Sequence, residues 1–161
     1  MSTERPEPRY LRHADRLWPL TNRLAAAHTF LYKRTGGRLG ERVPGGHGRM
    51  LLLDHVGAKS GTLRTSPLLF VPDGENLVLV ASKGGFPKHP AWFHNLRANP
   101  ETYAQVGGER RRVRARVATA EERPRLWDEA VAVWPGYEDY RRRTDREIPL
   151  VVLEPAPAPG A

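Results

Sequence analysis

The chain of 161 residues contains no cysteine. Disulfides and thiolate metal sites are therefore excluded, while the redox compartment stays undetermined. Long apolar runs are missing as well: no aliphatic stretch approaches the ~20 residues that span a bilayer. The polar N-terminus lacks the apolar core of a signal peptide, so cytoplasmic residence is expected. Several signatures of chemistry are absent too. No G-x-x-x-x-G-K-[ST] occurs, since GAKSG has the right letters at the wrong spacing, and no G-x-G-x-x-G follows a strand pattern. The six histidines show no H-E-x-x-H or similar pairing, so no metal site is expected. No Ser-His-Asp arrangement can be argued from residue order.

Acidic residues are in the minority. Eighteen Asp and Glu face 26 Lys and Arg, a net charge of +8, and nearly all the cations are Arg. Such a balance suits a polyanionic partner: nucleic acid, an acidic membrane or a phosphorylated cofactor. Arg, Ala and Pro enrichment also marks a GC-rich genome, so charge alone does not choose. With 39% hydrophobic and 27% charged residues, the composition is that of a folded globular chain. Its length suits one domain with a real core.

The pattern divides into a Pro- and charge-rich N-terminus over 1–9, expected to be mobile, one domain over 10–155, and a disordered tail over 156–161. Tyr10 to Lys33 is helical in period, with Leu17, Leu20, Leu24, Ala27 and Leu31 at three- and four-residue steps. Pro19 marks a helix start or kink. A Gly-rich loop follows. Met50–Val56, Pro67–Val71, Asn76–Ser82, Thr102–Val106, Arg110–Val117 and Ile148–Leu153 read as strands. Pro90 stands at a helix start before AWFHNLRAN, and Thr119 caps a helix running to about Trp134. Pro135-Gly136 breaks it before a short helix over Tyr137–Arg143. Strands that follow one another through short turns predict a largely antiparallel sheet, closed as a small barrel with helices outside. No internal repeat is visible.

One stretch holds more chemistry than a turn requires: HVGAKSGTLRTSPLLFV, positions 55–71. Gly57 and Gly61 let backbone N–H groups converge on an anion, and Lys59 and Arg64 supply charge. Ser60, Thr62, Thr65 and Ser66 add hydroxyl donors. The alternative is a solvated basic loop. A second small and basic loop, Ser82-Lys83-Gly84-Gly85, follows another strand and is able to meet the first around one phosphorylated ligand. Trp92 and Asn95 lie one helical turn apart, offering a plane and an amide, or else ordinary core packing.

GAKSGTLRTSPLLFV, VLVASKGGFPKHPAWFHNLRANP and WPGYEDYRRRTDREIPLVVLEP, in this order, resemble the deazaflavin-dependent nitroreductase family. The resemblance covers roughly residues 50–155, with the N-terminal helix also in place. It implies an α+β split β-barrel like that of FMN-binding proteins, mostly antiparallel, with an N-terminal helix and outer helices. It further implies coenzyme F420, an 8-hydroxy-5-deazaflavin, and hydride transfer to a quinone, nitroaromatic or activated enone. On that resemblance Lys59, Ser60, Arg64, Thr65 and Ser66 hold the coenzyme's phosphate and tail, with Ala58 beside them where the family often has Arg. Pro67, Leu68 and Leu69 line the ring, Val80, Ala81, Ser82 and Lys83 pass along its edge, and Ala91, Trp92, Phe93, His94 and Asn95 bound the other side. Tyr137 and Tyr140 face the substrate, and Ser82, Tyr137 and Tyr140 are the catalytic candidates. Trp134 replaces a Tyr common in nitro-drug-reducing members, so bicyclic nitroimidazoles are expected to be poor substrates.

Two rivals stand beside this reading. A non-catalytic deazaflavin or flavin carrier fits the same fold. A nucleic-acid module on the Arg112, Arg114 and Arg116 face would lack the interleaved aromatics of single-strand binders, and no specific nucleic acid is expected. Split-barrel flavoproteins are commonly homodimers, so a homodimer is open by analogy. Weak association of the Arg-rich, Trp18-bearing N-terminal helix with the inner face of a membrane is open too.

Overall fold

In a computed structural model of the chain the described residues are 9–43 and 46–157, the side chains of 9–20 and 22 being left aside. The mobility expected of residues 1–9 and 156–161 falls mostly outside that set. Arg9 already belongs to the first helix, α1 (Arg9–Thr35), which runs unbroken through Pro19. Six strands follow: β1 (Arg49–Val56), β2 (Leu63–Asp73), β3 (Asn76–Val80), β4 (Glu101–Val106), β5 (Glu109–Val117) and β6 (Leu150–Pro155). They close into an antiparallel barrel in the order β1-β2-β3-β6-β5-β4, with β4 returning to β1. This is the antiparallel barrel with outer helices that the short turns predict. Helix α2 (Ala91–Ala98) lies between β3 and β4, and α3 (Arg123–Val133) and α4 (Gly136–Arg142) lie between β5 and β6.

Two cores explain why several strands read as continuous apolar runs. Leu77, Leu79 and Ala81 join Leu51, Leu53, Phe70, Val113 and Leu153 inside the barrel, where Trp92, Phe93 and Leu96 of α2 close the packing. Val78 and Val80 face outward and meet Leu126, Trp127 and Ala130 of α3. Both faces of β3 are thus buried, and alternation in its sequence disappears.

Strand β2 departs from expectation. It starts at Leu63 rather than Pro67, because Arg64, Thr65 and Ser66 pair with His55, Asp54 and Leu53. The turn proper is only Gly57–Thr62, closed by Gly57 N–H to Thr62 O (2.9 Å) and Gly61 N–H to Gly57 O (2.8 Å). Strand alternation then sends Arg64 and Ser66 to one face and Thr65 to the other. Strand β6 starts two residues later than expected, since Ile148 packs against α3 and α4 instead. The Thr119 cap is present: Thr119 and Glu122 exchange N–H bonds in a capping box, and regular helix begins at Arg123.

Two of the three arginines on the basic face of β5 are closely paired with acids outside the strand, while Arg114 stays exposed, 3.8 Å from Glu101. Arg112 pairs with Glu101, and Arg116 forks onto Glu122 (2.7 and 2.8 Å) and reaches Glu154 (2.7 Å). Among the described residues these pairs interrupt the basic stripe at Arg112 and Arg116.

Helix α1 docks on the barrel through His28 and Tyr32. His28 meets the Gly40 carbonyl at 2.7 Å, while Leu24 and Leu31 of the apolar stripe are 61% and 47% exposed, beside Phe30 at 63%. Tyr32 is the anchor. Fully buried, its hydroxyl donates to Met50 O (2.9 Å) and accepts from Gly107 N–H (2.7 Å), tying α1 to β1 and to the β4–β5 turn. Removing that hydroxyl strands a buried donor. Tyr32→Phe should therefore cost about 1–3 kcal/mol in urea unfolding with little change in slope; an unchanged midpoint would show that α1 is held by other contacts.

Candidate functional site: a two-part groove beside the barrel

Two cavities share a wall. One, of about 390 Å³, is largely apolar and is lined by Pro67, Leu68, Leu69, Val80 and Trp92, with Ser82, Tyr137 and Tyr140 as its hydroxyl groups. The other, of about 800 Å³, is basic: Lys59, Arg64 and His94 line it with Ser60, Ser66, Ala58, Ala91 and Asn95. Lys83, Pro90 and Trp92 belong to both.

Strand rows generate this polarity. The inward row of β1 runs Leu51, Leu53, His55, and that of β2 runs Phe70, Leu68, Ser66, Arg64. Each passes from apolar core to polar rim within three or four residues. At the rim, α2 presents Asn95, whose carbonyl oxygen accepts the Ala58 N–H at 2.9 Å and so holds the β1–β2 turn against the helix.

The shared wall is conformationally unusual. Lys83, Gly84 and Gly85 all have positive φ (45°, 64° and 80°), left-handed backbone that is costly for a lysine. A Cβ on Gly85 would sit 2.6 Å from Tyr140 O, so the turn presses directly on α4. Arg146 clamps it from behind, donating to Phe86 O (2.8 Å), Ala81 O (3.2 Å) and Ser82 O (2.8 Å) and touching His89 Nδ1 (3.0 Å). Since Arg only donates, His89 accepts there and is neutral; burial, then Arg146, His94 and Arg97, lower its pKa. Tyr137 is buried between Trp127 and Tyr140, and burial pushes its pKa up, so its hydroxyl keeps its proton across the neutral range.

A sequence model of the family described as F420H(2)-dependent quinone reductase matches residues 24–155. The chain belongs to this family. An F420H(2)-dependent quinone reductase of Mycobacterium tuberculosis (strain H37Rv) is 42% identical over 135 residues, covering 81% of this chain and 89% of that protein. Among solved structures, an F420-H2 dependent reductase is 42% identical, with a TM-score of 0.61, over 65% of this chain and 93% of its own. Another, described as a domain-swapped dimer, is 35% identical with a TM-score of 0.64, over 83% of this chain and 98% of its own.

The donor set suits the coenzyme of this family: cations and hydroxyls for an anion in one cavity, flat apolar walls for a ring in the other. Three expected residues lie elsewhere. Thr65 faces outward, donating to Asp54 Oδ1 (2.6 Å), because it is out of phase with Arg64 and Ser66. Ala81 and Phe93 are packed in the barrel core. Sequence reading missed His55 and Arg146. His55 stands inside the quoted stretch, but its partner Asn95 is 40 residues away; Arg146 is one of many arginines in a connector and nothing local marks it.

The clamp yields a test. Arg146→Ala should remove charge-assisted bonds worth roughly 1.5–3 kcal/mol each at most. Amide hydrogen exchange at 82–86 should accelerate ahead of the barrel strands. Uniform exchange in variant and wild type would mean that the turn holds itself.

Proposed function

We propose that the protein transfers hydride from reduced coenzyme F420 to a quinone, with both bound along the two-part groove. Membership of an F420H(2)-dependent quinone reductase family makes it an F420H(2)-dependent oxidoreductase. The observation that carries the residue-level reading is the adjacency of the basic and apolar cavities across Lys83, Pro90 and Trp92.

Lys59, Arg64, Ser60 and Ser66 hold the phosphate and tail, and Leu68, Val80 and Trp92 flank the ring. When bound and reduced, the coenzyme supplies the hydride. The chain supplies the rest. Apolar walls exclude water from the acceptor. Ser82 and Tyr137, both in the apolar cavity, donate hydrogen bonds to the quinone oxygen as it gains charge. Tyr137 suits that task because burial keeps it protonated. Tyr140 and Trp134 bound the acceptor, and the bulk of Trp134 disfavours bicyclic nitroimidazoles relative to quinones. The carrier alternative predicts binding without turnover.

Titration of coenzyme fluorescence and stopped-flow menadione reduction test the reading. Lys59→Ala and Arg64→Ala should weaken binding about 10- to 100-fold, and FMN should bind weakly. Ser82→Ala and Tyr137→Phe should keep affinity and slow reduction by about 10- to 1,000-fold. Unchanged affinity in the first pair removes the cradle; wild-type rates in the second make those residues walls.

The exposed Leu24, Phe30 and Leu31 of α1 support a second copy of this chain as its partner, in line with the relative described as a domain-swapped dimer. Among the described residues no helix is long and apolar enough to cross a membrane. Light scattering should give a dimer that Leu24→Lys with Leu31→Lys converts to monomer. A wild-type monomer that pellets with anionic vesicles would point to lipid instead.

A further inference from the structure

A polar chain runs through the wall of the basic cavity, to which His55, Asn95, Ala58 and Ser66 all contribute, and the hydride step itself makes no use of it. His55, 3% exposed at the end of β1, meets Asn95 Nδ2 through its Nδ1 (2.9 Å) and Ser66 Oγ through its Nε2 (2.9 Å). Asn95 is buried as well and meets the Ala58 backbone nitrogen.

One atom in this chain has a fixed role. A backbone N–H is a donor only, so the Asn95 atom facing Ala58 is the carbonyl oxygen. The amide nitrogen then faces His55 and requires Nδ1 to accept. An imidazole that accepts at Nδ1 carries its proton on Nε2. That proton is directed at Ser66 Oγ, which accepts it. Ser66 lines the basic cavity, and its Oγ makes no other hydrogen bond to a described residue, so its own hydrogen is free to point into the groove. Every link is oriented one way: Ala58 N–H to Asn95, Asn95 to His55, His55 to Ser66, Ser66 to the cavity. Bonds aligned head to tail polarise one another.

The opposite tautomer, and the imidazolium, would set two N–H groups against each other across 2.9 Å. Electrostatics agree with this geometry. Burial lowers the pKa of His55 from 6.5, Arg64 on β2 lowers it further, and Asp54 on β1 opposes them; Asn95, facing it from α2, is uncharged.

We propose that His55 is a positioning residue which, relayed from Ala58 through Asn95, fixes Ser66 as a hydrogen-bond donor to an acceptor-only anion such as a phosphodiester in the basic cavity. This rests on the reading that the cavity holds the coenzyme's phosphate. It gives the site selectivity beyond charge. A ligand group that must itself donate meets only the one lone pair that His55 leaves on Ser66 Oγ, whereas an ionised phosphate oxygen finds a hydrogen pointed at it.

Nitrogen NMR of the coenzyme-free wild type reads the tautomer directly. At pH 7 His55 should be neutral with its proton on Nε2; a proton on Nδ1 overturns the relay. Coenzyme affinity supplies the second arm. His55→Gln offers an acceptor and a donor with the same polarity and should stay within about threefold of wild type, whereas His55→Leu should lose about tenfold or more. Ser66→Ala should lose a similar factor, and the His55→Leu, Ser66→Ala double variant no more than either alone, because both break one chain. Additive losses, or full affinity in His55→Leu, overturn the proposal. Failure of the coenzyme reading is distinguishable: wild type would then bind no coenzyme, while the tautomer still decides the relay's direction.

Discussion

The register of the β1–β2 pair is the constraint on which the site depends. With Leu53 opposite Ser66 and His55 opposite Arg64, the inward rows of both strands change from aliphatic to polar at the same end of the barrel. A slip of one residue would exchange the faces of one strand. Thr65 would then enter the groove in place of Arg64 and Ser66. Asp54 and Thr65, which bond each other on the outer face, would also part. Burial of Leu51, Leu53, Leu68 and Phe70 in one core opposes that slip, so the same apolar residues that stabilise the barrel also aim the cations.

The rest of the groove is assembled against this rim. Helix α2 contributes to the barrel core with Trp92, Phe93 and Leu96 and, one turn on, fixes the β1–β2 turn through Asn95. On the other side the left-handed Lys83–Gly85 turn is held between Arg146 and α4. Strain at Lys83 is tolerated because several neighbours determine the turn at once. A rigid wall between an anion site and an apolar slot is what hydride transfer asks of a protein: reacting atoms held in place, donors aimed before charge develops.

Much of this was legible in the sequence, and what was not has identifiable causes. Strand β3 and helix α2 could be read because their apolar runs and their Pro and Gly boundaries are local. The basic turn stood out by composition, and the linked motifs carried the family. Its extent was misjudged, since hydroxyl residues in Arg64–Ser66 look like loop yet pair with β1 across a hairpin. The α1 stripe was seen, but its docking through His28 and Tyr32 depends on Gly40, Met50 and Gly107, which only the fold brings near. The Arg face of β5 looked like a binding surface because its partners Glu101, Glu122 and Glu154 stand outside the strand, where alternation along β5 does not reveal them. His55 and Arg146 were hidden for the same reason.

The central claim is that one ligand spans both cavities across the Lys83–Pro90–Trp92 wall. A crystal structure of the protein with oxidised coenzyme tests it most directly. The account predicts the phosphate within hydrogen-bonding distance of Lys59, Arg64 and Ser66, and the ring in the apolar cavity against Leu68 and Trp92. A ring bound outside that cavity, or a phosphate beyond the reach of both Lys59 and Arg64, would contradict it.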